Sequence, residues 1–117
     1  MGFIAYDGTH VQFEDRLLAH LQIVIVQKYK KQESFLMSWK DGPAVGDGRA
    51  SVWLDPRIPI YFKFLGGRSP AINQQWLLTL GKSADASTGM IVTDENGDLA
   101  HANQADESGL PGTMNSR

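Results

Sequence analysis

Between Asp15 and Lys31 the apolar residues Leu17, Leu18, Leu21, Val24, Ile25 and Tyr29 recur at three- and four-residue steps. That spacing holds for about four turns and marks an amphipathic helix. Arg16, His20, Gln27 and Lys31 fall on the other face. Within the same run, Ile23-Val24-Ile25-Val26 is β-branched and apolar on every side. Propensity alone favours a strand there. The ends decide for helix: Asp15 suits an N-cap, and Lys28, Lys30 and Lys31 sit where the helix dipole favours cations. A helix apolar on so many sides has to be held between a sheet and a further element.

The surrounding sequence supplies the sheet. Gly2–Tyr6 and His10–Phe13 are short β-prone runs joined by Asp7-Gly8-Thr9, and Asp-Gly between apolar runs is a hairpin signal. Ser34–Trp39 alternates, with Phe35, Met37 and Trp39 on one side and Leu36 on the other. Lys40–Arg49, rich in glycine, reads as a loop. Ala50–Leu54 and Ile60–Leu65 are further strands, separated by Asp55-Pro56-Arg57-Ile58-Pro59, whose prolines forbid a continuous ladder. Ser69-Pro70 has the form of a cap and first turn for a second helix over 70–85, with Ile72, Trp76, Leu77, Leu80 and Ala84 as its stripe. Met90–Thr93 is a last short strand. The order is β-β-α-β-β-β-α-β, an α+β class with two helices on one face of a mainly antiparallel sheet. From Asp94 onward only Leu99, Leu110 and Met114 are large and apolar, so one domain over 1–93 and a disordered acidic tail over 94–117 are expected.

Charge follows the same division. Residues 1–93 carry ten Lys/Arg and eight Asp/Glu, and residues 94–117 carry one Arg and five acids. A body at +2 is too weakly basic to imply nucleic acid on charge alone. Cysteine is absent, which removes disulfides, zinc–thiolate sites and thiol nucleophiles. The N-terminal residues show no basic region before an apolar run of signal length, and no apolar run approaches a membrane span. A cytoplasmic protein is expected.

Catalytic constellations are missing. His10, His20 and His101 show no helical metal-ligand spacing with a third ligand, so no metal is assigned. No Gly-x-Ser-x-Gly elbow occurs. Gly42–Arg49 leads from strand to strand rather than to a helix, unlike a phosphate cradle. Gly66-Gly67-Arg68-Ser69-Pro70 does precede a helix, where amides and Arg68 would meet an anion, or where the segment is an ordinary link. No catalytic residue and no cofactor are assigned.

Three stretches carry a resemblance: Asp15-Arg16-Leu17-Leu18-Ala19-His20-Leu21 with Val24-Ile25-Val26; Glu33-Ser34-Phe35 with Ser38-Trp39; and Gly48-Arg49 leading to Val52-Trp53-Leu54, Pro56, Ile58-Pro59 and Phe62 to Phe64. Over roughly 2–93 the chain resembles a family of small uncharacterised proteins from actinobacteria and their phages, often labelled "ATP-dependent DNA ligase". The label implies a lysine nucleophile in a Lys-x-Asp-Gly motif. Lys40-Asp41-Gly42 has the residue types without the spacer and reads as a solvated turn.

What remains is binding. Strand alternation puts Trp53, Tyr61 and Lys63 opposite Val52, Leu54 and Phe62. With Arg49, Arg57 and Arg68 they form the candidate surface, provided the first helix does not bury Trp53. The expected partner is a protein or a second copy of the chain. Nucleic acid is the alternative, and a nucleotide-dependent ligase-like enzyme the third reading.

Overall fold

The computed structural model describes residues 1–42, 46 and 48–105. Its elements in chain order are β1 (Gly2–Tyr6), β2 (Thr9–Phe13), α1 (Asp15–Lys30), β3 (Phe35–Asp41), β4 (Arg49–Leu54), β5 (Ile60–Lys63), α2 (Gln74–Asp85), β6 (Met90–Ile91) and β7 (His101–Ala105). The α+β class and the leading eight-element order are as the sequence implies. β7 is an addition, and the domain therefore does not stop at Thr93. The turn after β6 returns the chain through a Thr93–Leu99 bridge into the sheet. The expected tail over 94–105 is ordered because β7 joins by backbone hydrogen bonds and by the buried small residues Ala100 and Ala102, which a count of large apolar residues overlooks. Residues 106–117, and 43–45 and 47 of the glycine-rich stretch, lie outside the described residues.

The strand order is β4-β3-β7-β2-β1-β5, with β6 paired to β3. Four pairings are antiparallel: β1 with β2, β1 with β5, β2 with β7, and β3 with β4. β6 and β7 run parallel to β3. They are successive parts of one lane along β3: Met90 and Ile91 pair with Met37 and Ser38, and His101 and Ala102 with Lys40 and Asp41. Residues 93–99 loop out of that lane between them. β7 then changes partner, because His10, Val11 and Gln12 of β2 take Ala105, Gln104 and Asn103.

β4 and β5 stand at the two ends of this order, yet only residues 55–59 join them. Five spacings of a flat sheet amount to about 24 Å. The link is too short for that and is folded on itself, with Ile58 N–H donating to Asp55 O at 2.9 Å. The sheet is therefore rolled, and its ends converge at this link. Tyr6 of β1 fixes the convergence, its hydroxyl accepting from Asp55 N–H at 2.9 Å.

The concave side holds the core. Ile4, Tyr6, Val11, Phe13, Phe35, Met37, Trp39 and Leu54 face Leu17, Leu18, Leu21, Val24 and Ile25 of α1 and Trp76, Leu80 and Ala84 of α2. α1 is thus held between the sheet and α2. His20, which the sequence places on the polar side, is 0% exposed. The segment entering α2 covers it: Asn73 N–H donates to His20 Nε2 at 2.9 Å, and Trp76 stacks on the ring at 4.3 Å.

Both helix starts differ from expectation. Glu14 occupies the N-cap of α1, and the Asp15 carboxylate instead accepts from Gly66 N–H at 2.8 Å. α2 begins at Gln74 with Asn73 as its cap, whose side chain accepts from Trp76 N–H at 3.1 Å. Pro70 lies ahead of the helix. Arg16 and His20 hold Ala71 and Asn73 against α1, so the first turn forms after them.

Candidate binding surface

Both helices pack on the concave side, so among the described residues no helix covers the convex side of the sheet. Alternation along each strand decides what it presents. On the β3–β4 pair, Leu36 lies opposite Trp53, Ser38 opposite Ser51, and Lys40 opposite Arg49. The rows grade from apolar to hydroxyl to cationic. Trp53 is 59% exposed, and the two serine hydroxyls are 2.7 Å apart. His101 of β7, also exposed, lies beside Lys40 on the same face.

A second cluster lies on β1 and β5, at the other terminus of the strand order. Phe3 lies opposite Lys63 and Ala5 opposite Tyr61. Phe3 contacts the rings of His10 at 5.5 Å and Tyr61 at 6.0 Å. Tyr61 is 55% exposed.

The sequence therefore reads the facing of Trp53, Tyr61 and Lys63 as the structure has it, and they belong to the two terminal strands of the order, which do not pair with each other. β3, β7, β2 and β1 lie between Trp53 and Tyr61. Trp53 shares its face with Arg49; Tyr61 shares its face with Lys63. Arg57 joins neither cluster. Its guanidinium donates to both carboxylate oxygens of Asp55, at 3.1 and 2.8 Å. Hydrogen bonds from the Arg57 side chain and backbone hold the Asp55 carboxyl down at about 2. Arg68 lies in the crossing between β5 and α2. There it lines a groove of about 310 Å³ with Ile23, Phe64, Pro70 and Ile72. The anion cradle considered for 66–70 is not formed, since the helix starts further on and Gly66 N–H is taken by Asp15.

Residues missed as site candidates are Leu36, Phe3 and His10. Their alternation was visible in the sequence; their neighbours across strands were not. Lys40-Asp41-Gly42 is no solvated turn: Lys40 and Asp41 end β3, Asp41 accepts from Trp39 Nε1–H at 3.1 Å, and Gly42 N–H donates to Ala102 O at 2.9 Å.

Two cations of α1 are matched by carboxylates. Arg16 forks onto Glu95 at 3.0 and 2.6 Å. Lys28 meets both Glu33 and Asp85 at 2.9 Å. Among the described residues no group of three or more His, Asp or Glu is arranged to hold a metal ion. No helix of the described residues is long and apolar enough to cross a membrane.

No curated protein and no solved structure matches this chain. Residues 1–95 match a family model described as a domain of unknown function, DUF7882, and the chain belongs to that family.

Proposed function

We propose that this protein is a non-enzymatic binding domain that recognises a protein partner through the convex face of β3 and β4. The observation that carries this reading is Trp53, a large aromatic side chain 59% exposed beside Leu36 on the sheet face away from both helices. Exposed tryptophan is costly to leave in water and is enriched where partners bury it. Arg49, at the end of the same strand, gives the patch a charged rim.

Nucleic-acid binding draws less support. It requires a continuous basic track with aromatic platforms. Here Arg16, Lys28 and Arg57 face carboxylates, and Arg49 and Lys63 lie on strands that do not pair with each other. A ligase-type nucleophile draws none from Lys40, which lies within a paired strand.

The test is Trp53→Ala. Proteins captured from the native host by the immobilised wild-type domain should be lost by the variant. The melting temperature should move by no more than a few degrees, as befits a surface change. Collapse of the fold would mark Trp53 as structural, and unchanged capture would remove it from the interface.

A further inference from the structure

The two ends of the sheet differ in how they are guarded. β5 is four residues long, follows Pro59 directly and ends in Lys63. Short length, proline and lysine are the devices that keep an edge from pairing with another chain. β4 has six residues, Arg49-Ala50-Ser51-Val52-Trp53-Leu54, with no proline, no lysine and continuous pairing to β3 along its length.

The hydrogen bonds fix which backbone groups face that open edge. Asp41 N–H donates to Gly48 O. In an antiparallel ladder the bonded residues alternate. Residues 48, 50, 52 and 54 therefore bond to β3. The other edge of β3 agrees, since Ser38, Lys40 and Gly42 bond to the β6–β7 lane through Val92, Ala100 and Ala102. The N–H and C=O groups of Arg49, Ser51 and Trp53 consequently point away from the sheet.

We infer that β4 pairs with β4 of a second copy, antiparallel and centred on Ser51, so that one sheet runs through a symmetric dimer. This rests on the reading of the Trp53 face as a contact surface and names its occupant. With the two-fold axis at Ser51, each Ser51 bonds the other, and each Arg49 bonds the Trp53 opposite. About six main-chain hydrogen bonds form, and none of the outward groups is left over. Directly opposed residues share a face. Each Arg49 side chain therefore lies beside the Trp53 ring of the other copy on the convex side, a cation–π geometry that occurs twice by symmetry. On the concave side Ala50 of each copy meets Val52 of the other, and both are only partly buried in one chain. A shift by one residue would set convex against concave side chains, which selects this register.

The experiment is sedimentation equilibrium of the full chain over a wide concentration range. A concentration-dependent dimer is expected. Ser51→Pro removes an N–H that faces outward and is not used by β3, so the dimer Kd should rise at least about tenfold while the circular dichroism spectrum persists. Should proline prevent folding, Ser51→Lys places a guarding charge at the same point and should have the same effect. A wild-type chain that stays monomeric at every concentration overturns the inference. So does a dimer untouched by both substitutions, because its interface then lies elsewhere. Neither result touches the proposed function if Trp53→Ala still abolishes capture of a different protein.

Discussion

Glu95 is the residue whose role is least visible in the sequence. It stands in a polar stretch, Asp94-Glu95-Asn96-Gly97-Asp98, that by composition belongs to a tail. In the structure it accepts both Nε and Nη2 of Arg16 and also Asn73 Nδ2, joining α1, the cap of α2 and the loop between β6 and β7. Those hydrogen bonds, Arg16 first, hold its carboxyl at about 2 against an ordinary 4.5. A folded-state pKa below the unfolded one adds stability that is fully present above the unfolded value. That stability diminishes as pH falls below about 4.5 and is gone once pH passes about 2. Urea midpoints measured across that window should fall steeply for wild type. For Glu95→Gln the acid limb should be shallower, with the remaining slope owed to other lowered carboxyls such as Asp55. His20 teaches the same lesson in reverse. Its spacing places it with Arg16 and Lys31, yet Asn73 and Trp76 bury it. A helix's polar face read from sequence is only the face without large apolar residues. Whether another segment covers it depends on contacts more than fifty residues away in the chain.

At the scale of elements, the long apolar helix, the first hairpin and the alternation of β3, β4 and β5 were legible, because each rests on periodicity within a single segment. The helix starts were not. Asp15 and Ser69-Pro70 have capping chemistry, but a side chain has only one set of acceptors, and Asp15 spends its own on the β5–α2 crossing. β7 was illegible for a different reason. His101-Ala102-Asn103-Gln104-Ala105 has weak β-propensity and no large apolar residue. What places it is the pair of ladders it meets, β3 on one side and β2 on the other. Truncation after Asp98 should therefore be severe although, among the described residues, it removes no large core side chain. It leaves the N–H groups of Lys40 and Gly42 without Ala100 and Ala102. Orphaned backbone groups cost about 1–3 kcal/mol each, and for a domain this size the melting temperature should drop by more than about 10 °C. Differential scanning calorimetry of the truncated chain checks this. A melting point within a few degrees of wild type would show that β7 is dispensable to the fold. The family match ends at residue 95, so the strand that closes the centre of the sheet comes from outside the matched region.

For the molecule as a whole, the decisive property is that a sheet rolled around one core has, among the described residues, both helices on one side. Sequence alternation assigns facing strand by strand, but strand order and curvature arise from pairings between distant segments. That is why Trp53 and Tyr61 share a side and yet belong to the first and last strands of the order. Curvature has a local anchor in this protein. The Asp55–Pro59 link can join the two ends only while they are drawn together, and Tyr6 does so from β1 by accepting Asp55 N–H. Tyr6 is 6% exposed, so the bond is shielded from water. Tyr29 packs in the same corner, where burial, then the nearness of Tyr6, raises its phenol pKa and keeps it neutral. Tyr6→Phe preserves the ring and its packing but leaves Asp55 N–H without that acceptor. The expected cost is about 1–3 kcal/mol, read as a lower urea midpoint at unchanged m-value. A cost confined to this bond would leave Trp53 exposed as before. If the convergence of β4 and β5 depends on it, hydrogen exchange at residues 54–60 should accelerate more than exchange at β2 or α1. Uniform acceleration across the sheet would mean that the link follows the curvature rather than holding it.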